Sequence, residues 1–465
     1  MRPKFEDGQS NRCAWIGRWL WFLAMASTVL LVYASLVPLT YQPLPWEATW
    51  TRWQSIPWLQ LELYNRSDWI ANALVVMPPA FFWCGAIDFG RDRRWMVWLA
   101  APVIATLLCA LVVGIECLQV WFPPRTVSQN DIVAGCVGAV LGCVAWLMMG
   151  RWCVRSIEYF VQIERVRGRV RWVVAAAIVG GLLYTVYPFD LVLNGSEWKE
   201  KLELGRLGWG MEWSSKQELL KTLKGYVVAC VKLAPFGMWF ALKERGKFPW
   251  LAIPLIAIGL EAIQIPIYTK YATVMEAVFG AMGGWAAWVV TRLWLSIWPR
   301  LQRGWIWAML TVLYGVALLV AFNWRFESIV RDDEVIWQRF LGAFDWPLVK
   351  YYYTSEYSAI SNVMGKLGAF AVLGGLVCVW NWVVRPVRAS HWFWIGAIAT
   401  FILGAAIEGM QVFLPPIIPD VNDLVTYVLG YATGFAVVSL VLSGASEPRA
   451  ASMRRDGETL TSSDP

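Results

Sequence analysis

Apolar residues in this chain come in long blocks rather than at alternating or amphipathic spacing. The blocks lie at about 15–37, 70–87, 95–115, 131–150, 172–188, 225–242, 248–265, 273–291, 304–322, 358–384, 392–412 and 423–443. A bilayer core of about 30 Å needs roughly 20 apolar residues in helical form. A helix also satisfies its own backbone where no water reaches it. The pattern predicts an all-α polytopic membrane protein with about twelve transmembrane helices. Ala24-Met25-Ala26 resembles a signal-peptide cleavage site, but the apolar run continues to Val37, so the first block is read as a span.

The blocks repeat in sets of four. Glu116-Cys-Leu-Gln119, Glu261-Ala-Ile-Gln264 and Glu408-Gly-Met-Gln411 close the third, seventh and eleventh blocks, 145 and 147 residues apart. An acid follows each Glu by fifteen residues (Asp131, Glu276, Asp423), and a glycine follows each acid by seven (Gly138, Gly283, Gly430). Each intervening turn carries proline. Four spans preserve orientation, so the expectation is three parallel four-helix repeats related by an axis along the membrane normal. Their boundaries are read as 1–155, 156–300 and 301–443, followed by a polar cytoplasmic tail, 444–465. Glycines four apart in each fourth span (Gly138 and Gly142, Gly280 and Gly284, Gly430 and Gly434) suit close helix packing.

Charge sets the orientation. The N-terminal tail, every second loop and the C-terminal tail hold 24 of the 40 Lys and Arg but 11 of the 33 acids. Cytoplasmic loops carry such an excess, so both termini are expected in the cytoplasm of a cell whose inner membrane holds the protein. Arg165-Val-Arg167-Gly-Arg169-Val-Arg171 is then a topology anchor, not a nucleic-acid patch.

Composition narrows the chemistry. Apolar residues make up 58% of the 465, charged residues 16%, and the mean hydropathy is +0.49. The 33 Trp suit membrane interfaces. One histidine, His391, rules out a multi-histidine metal site and a haem held by a histidine pair, and no CxxC occurs. No P-loop or dinucleotide fingerprint occurs. No metal and no cofactor are expected, and the cysteines in apolar runs are read as small core residues.

Glu and Gln at i and i+3 share a helix face. At about 1.5 Å per residue, the three Glu lie roughly 21–33 Å from the basic loop that starts their helix. This puts them in the outer half of the membrane, each beside the acid that opens the next helix. The first segment adds Arg125 in the turn and Asn72 at the start of the second span. The candidate ligand site is Asn72, Glu116, Gln119, Arg125 and Asp131, facing one extracytoplasmic hollow. The corresponding residues are Glu261, Gln264 and Glu276 in the second segment, and Asn362, Glu408, Gln411 and Asp423 in the third. Arg125, with paired donors, suits an anionic headgroup; Lys270 and Ile417 stand in its place elsewhere. Lys232 and Lys366 lie inside spans, where they could neutralise nearby acids or snorkel. Such clusters can also be interhelical glue, although intramembrane ionisable groups are usually functional. Short interfacial helices are expected in the long outer loops 39–69, 189–224 and 323–357, one of them capped at Ser215-Lys-Gln-Glu218.

These residues resemble the VanZ-like family of four-span membrane proteins. The likeness rests on Tyr33-Ala-Ser-Leu-Val-Pro38, on Asn72 with Pro78, and on Glu116-x2-Gln119-x3-Pro123-x-Arg125-x5-Asp131 followed by Gly138. Ser128 stands where the family often has an acid. The second and third segments match in part, through Tyr184, Pro188, Pro235 and Asp420 among others, so the likeness covers the chain as three tandem copies. It implies an envelope membrane protein, of a family named for a member linked to resistance to the glycopeptide teicoplanin, and it implies no established reaction. The expected partners are membrane lipids and a lipid-linked envelope precursor or other amphiphile. The other readings are a secondary transporter, whose sites would lie at the midplane in broken helices, and a membrane enzyme using Glu116 and Asp131 as acid and base.

Overall fold

The computed structural model describes residues 6–58, 63–90, 95–210, 216–243, 247–298, 301, 303–323, 329–352, 356–384, 389–415 and 417–443. The chain is helical nearly throughout. The first set of helices is α1 (Glu6–Leu36), α2 (Trp46–Gln54), α3 (Leu63–Gly90), α4 (Trp95–Gln119) and α5 (Gln129–Ala145). A π-helical turn, Trp146–Gly150, carries α5 directly into α6 (Arg151–Gln162). Next come α7 (Val166–Val186), α8 (Gly195–Glu203), α9 (Lys216–Ala241), α10 (Ala252–Gln264) and α11 (Val274–Ile297). The last set is α12 (Gly304–Asn323), α13 (Asp333–Leu341), α14 (Val349–Tyr352), α15 (Glu356–Val384), α16 (Ala389–Val412) and α17 (Asp423–Leu442). Among the described residues the only sheet is a two-residue parallel pair, β1 (Leu207–Gly208) with β2 (Ala272–Thr273).

Ten helices among the described residues are long and apolar enough to cross a membrane, counting α5 through α6 as one. The two other expected spans coincide with α9, which carries several lysines, and α10. The 13 residues of α10 rise about 20 Å, less than a bilayer core. The twelve expected crossings thus stand at ten by length and composition. The expected loop at 151–171 differs too, because its first half continues the preceding helix as α6.

Two compact bodies make up the chain. One comprises Met1–Tyr159, Tyr187–Leu193 and Leu348–Glu356; the other comprises Phe160–Val186, Asn194–Pro347 and Tyr357–Pro465. In the first body, Leu20, Ile104, Val112 and Trp146 from α1, α4 and the π turn form one core. In the second, Leu233, Ile253 and Leu260 form one cluster, and Leu318, Phe370, Ile407 and Tyr427 another. Large apolar side chains also cover the outside: Trp98 and Leu107 are both 64% exposed on α4. A water-facing surface would not carry so much apolar area, whereas lipid suits it.

Glycine lets the second and fourth long helices of each set touch. A Cβ at Gly138 would overlap the Ala73 carbonyl, one at Gly283 would overlap Cys230 Cα, and one at Gly434 would overlap the Ala371 carbonyl. Backbone thus lies on backbone, as small residues permit between membrane helices.

Charges secure the helix ends far from the Glu residues. Asp88, 6% exposed at the end of α3, accepts from Arg151 Nε at 2.8 Å, from Arg151 Nη2 and from Trp146 Nε1 at 3.3 Å. Arg169 is 9% exposed. It donates to the Val161 and Ile163 carbonyls, to the Leu440 carbonyl and to Ser443 Oγ. Arg167 donates to the carbonyls of Leu242 and Lys243 just after α9. The basic stretch therefore satisfies helix-terminal carbonyls. Cys84, Cys143 and Cys378 are buried free thiols, and Cys109, Cys117, Cys136, Cys153 and Cys230 are free as well.

Candidate functional site

The site forms where α4 stops and α5 starts. Pro123 and Pro124 interrupt helix geometry, and Ser128 restarts it as the N-cap of α5. Ser128 Oγ accepts from Asp131 N at 3.1 Å and donates to Asp131 Oδ2 at 2.6 Å. Ser128 is thus a side-chain N-cap whose hydroxyl also holds the acid at the third helical position. The Asp131 carboxylate is further favoured by the helix N-terminal dipole. From α3, Asn72 Nδ2 donates to Asp131 Oδ1 at 2.6 Å.

Glu116 and Gln119 both lie on the buried face of α4, at 7% and 6% exposure. The Ser128 backbone, Asp131 and Arg125 lie close enough to act on Glu116 electrostatically. Glu116 Oε2 is buried without a hydrogen-bond partner among the described residues. Asn72, Glu116, Ser128 and Asp131 thus lie together where the two helices meet. Gln119 and Arg125 bind α1 instead. Gln119 Nε2 donates to Ser35 O at 2.8 Å. Arg125 donates through Nε to Val37 O and through Nη2 to Ala34 O, both at 2.6 Å, with its guanidinium 4.6 Å from the centre of the Tyr352 ring. The expected cationic fork is therefore directed at the carbonyls that end α1, as a C-terminal cap.

The second segment builds a related cluster with its own cations. Thr273 caps α11 by accepting from Glu276 N at 3.1 Å. Glu261 Oε1 accepts from Lys232 Nζ and from Gln264 Nε2, each at 3.1 Å. Lys270 follows Glu261 by nine residues, as Arg125 follows Glu116; its Nζ donates to Tyr184 O at 3.3 Å and sits 4.7 Å from the Tyr184 ring centre. In the third segment, Glu408 accepts from Tyr427 OH and from Asp420 N, both at 2.7 Å. Lys366 and Asp423 form a buried ion pair.

One equivalence is corrected. Asn362 is exposed and does not occupy the place of Asn72. Gly138 faces Ala73, and its counterpart Gly430 faces Leu367. The residues just before these contacts are Asn72 and Lys366, and each binds the acid that opens the fourth helix. A proline-based sequence match shifts this pairing by one helical turn. Sequence reading also misses two cations on the short helices α8 and α13. Lys201 of α8, 0% exposed, donates to the carbonyls of Gln264, Ile265 and Ile267. Arg339 of α13 donates to those of Gln411, Val412, Leu414 and Ile417 at 2.5–2.9 Å. Neither has a sequence signal, because backbone carbonyls are invisible in side-chain patterns. The expected short helices do occur as α2, α8, α13 and α14; the expected cap at Ser215 lies outside the described residues.

Two hollows in the first body bear on the site. An apolar groove of about 630 Å³ runs along α4 from Trp95 to Leu111, walled by Trp21 of α1 and Trp83 of α3. A smaller cavity of about 250 Å³ lies under α2 and is lined by Arg52, Ser55, Pro123 and Arg125. The loop around α2 is fixed over the turn by Gln42 N→Trp121 O at 2.8 Å and Gln129 N→Pro57 O at 3.2 Å. Among the described residues, no group of His, Cys, Asp and Glu could hold a metal ion.

The family profile described as VanZ/LLP1 matches residues 15–150. That region is VanZ-like. The match begins within α1 and ends at the π turn, so it contains Asn72, Glu116, Gln119, Arg125 and Asp131 of the site just described. No curated protein and no solved structure matches the chain. The VanZ-like region and the ten apolar helices make this a multi-pass membrane protein.

Proposed function

We propose that the chain is an inner-membrane protein of the cell envelope with both termini in the cytoplasm. Its VanZ-like first segment binds a lipid-linked or amphiphilic envelope molecule near the extracytoplasmic surface. The other two segments are divergent tandem copies that mainly scaffold the first. The observation that carries this reading is the sequence of environments along α4. An apolar groove reaches Leu111, and five residues on, about 7.5 Å of helix rise, stands Glu116, buried with its Oε2 unpartnered among the described residues. Arg125 both lines the neighbouring cavity and acts on Glu116. Apolar walls with a few convergent polar groups are what an amphiphile's tail and headgroup require. An unpartnered buried polar group costs free energy, and a headgroup removes that cost.

Lipidomics of the purified full-length protein tests this. An amphiphile enriched over the bulk membrane should copurify with the native chain. It should be lost on Glu116→Gln and kept on Glu408→Gln, at equal protein levels. A lipid profile identical across all three preparations would refute the assignment.

A further inference from the structure

The three acid clusters differ in what neutralises them. In the second segment, Lys232 Nζ lies 3.1 Å from Glu261 Oε1 with only 11% of its side chain exposed; Lys232 and Lys270 both act on Glu276. In the third, Lys366 binds Asp423 with 13% of its side chain exposed, and it also acts on Glu408. Each of these clusters thus holds a lysine ammonium of the chain itself among its acids.

The first segment has no such lysine. Ala229 precedes the glycine contact in the second segment, Lys366 in the third and Asn72 in the first. Asn72 is neutral, and its side chain reaches two atoms less far than that of lysine. It satisfies one oxygen of Asp131 and brings no charge. Three carboxyl groups act on one another here: exposed Asp68 feels the charge of Asp131, and so does buried Glu116. The cation acting on Glu116 is Arg125, which is directed at the end of α1. Glu116 is 93% buried, and its Oε2 has no partner among the described residues. Glu261 Oε2 is likewise unpaired, but its other oxygen already holds an ammonium.

We propose that the first segment takes the primary ammonium group of an external ligand between Glu116 and Asp131, where the other segments place their own lysine. The inference rests on the pocket reading above and gives the headgroup its chemistry. An ammonium has three donors. Glu116 Oε2 supplies one acceptor, and Asp131 supplies others, since each of its oxygens accepts a single bond and has a lone pair to spare. Desolvated ammonium–carboxylate bonds are the strong, charge-assisted kind. The ligand could be a free amine or an aminophospholipid headgroup; both present the same group.

The test uses the full-length protein in a maltoside detergent, with Tm measured in ethylammonium, tetramethylammonium or sodium chloride at equal ionic strength. Ethylammonium should raise Tm by about 2 °C or more at saturation, and the other two should not. The rise should vanish in Glu116→Gln and persist in Glu408→Gln. Asn72→Lys, which gives the first segment the lysine of the third, should raise Tm by itself and abolish the response. Nanodiscs of phosphatidylethanolamine against phosphatidylglycerol separate the sources: retention of the former on extraction identifies a lipid, and a response to ethylammonium alone identifies a free amine. An equal rise with sodium, no rise with any salt, or a rise surviving Glu116→Gln overturns the proposal. An anionic amphiphile that copurifies and is lost on Glu116→Gln, without an ethylammonium response, would leave the pocket reading standing and refute only the ammonium.

Discussion

Asn72 on α3 donates to Asp131 on α5 at 2.6 Å, across a crossing where the two backbones touch at Gly138. The bond joins the two helices at the buried acid cluster. Asn72→Ala removes the donor and leaves an Asp131 oxygen short of a partner, which costs about 1–3 kcal/mol. Asn72→Asp adds a carboxylate beside Asp131 and should be worse. Thermal unfolding of the purified variants should rank them wild type, Ala, Asp. A Tm for Asn72→Asp at or above wild type would show that the site already holds a proton or cation.

The glycine contacts differ sharply in what they tolerate. At Gly138, a methyl group would meet the Ala73 carbonyl, so Gly138→Ala must push α3 and α5 apart. At Gly114 of α4, nothing lies within 4 Å. There, alanine gains up to about 1 kcal/mol of helix propensity. Gly138→Ala should therefore lower the yield of folded protein and its Tm, and Gly114→Ala should leave both unchanged or improved. Size-exclusion profiles and melting curves of the pair decide the matter.

At the other end of the same helices, Arg151 binds Asp88 with two nitrogens. The Asp88 side chain is 2% exposed and that of Arg151 is 33%. Removing the cation leaves a buried carboxylate unpaired, though the part-exposed rim lets water relieve some of the loss. Arg151→Ala should cost about 1–3 kcal/mol. The double variant with Asp88→Asn should recover part of it. Strict additivity of the two substitutions in a double-mutant cycle would mean that the pair is not coupled.

The membrane helices were legible because apolar runs of spanning length have few other uses. The acid cluster was legible because Glu116, Glu261 and Glu408 stand in apolar sequence, where ionisable groups are costly. The role of Arg125 was not. Its type and position fit an anion site, and only the coordinates show the Ala34 and Val37 carbonyls that occupy it. Lys201 and Arg339 were hidden for the same reason. Ser128 and Thr273 could have been found, since each precedes an acid by three residues at a helix start, the signature of a capping box. Asn362 was misplaced because Asn-x5-Pro was matched by residue type, whereas the backbone contact at Gly430 fixes the register one turn later, at Lys366.

The charge asymmetry of the loops makes a prediction of its own. If cytoplasmic loops carry the Lys and Arg excess, exposed Gln54 of α2 faces the extracytoplasmic side and exposed Lys247, before α10, faces the cytoplasm. In a chain whose native cysteines have been replaced, an impermeant maleimide added to intact cells should label Gln54→Cys and spare Lys247→Cys. The reverse pattern would invert the protein and place the acid cluster on the cytoplasmic side.

Arg125 provides the last prediction, because the structure gives it a role that differs from direct ligand recognition. Its two bonds to Val37 O and Ala34 O hold the turn between α4 and α5 against the end of α1. Lys270 holds the Tyr184 carbonyl in the second segment with a single ammonium, so a lysine is long enough for such a contact. Arg125→Lys should therefore keep the fold, lowering Tm by a few degrees at most, and should keep whatever amphiphile the native chain retains. Arg125→Met matches the length without the charge. It leaves the carbonyls at the end of α1 without their donor, so it should lower Tm more and release the ligand in proportion to the unfolded fraction. A direct headgroup contact makes the opposite forecast: Arg125→Met would then lose ligand at unchanged Tm, and Arg125→Lys would lose most of it through loss of the paired donors. Measuring Tm and bound lipid on the same preparations separates the two. Ligand loss without loss of stability would return Arg125 to the binding site.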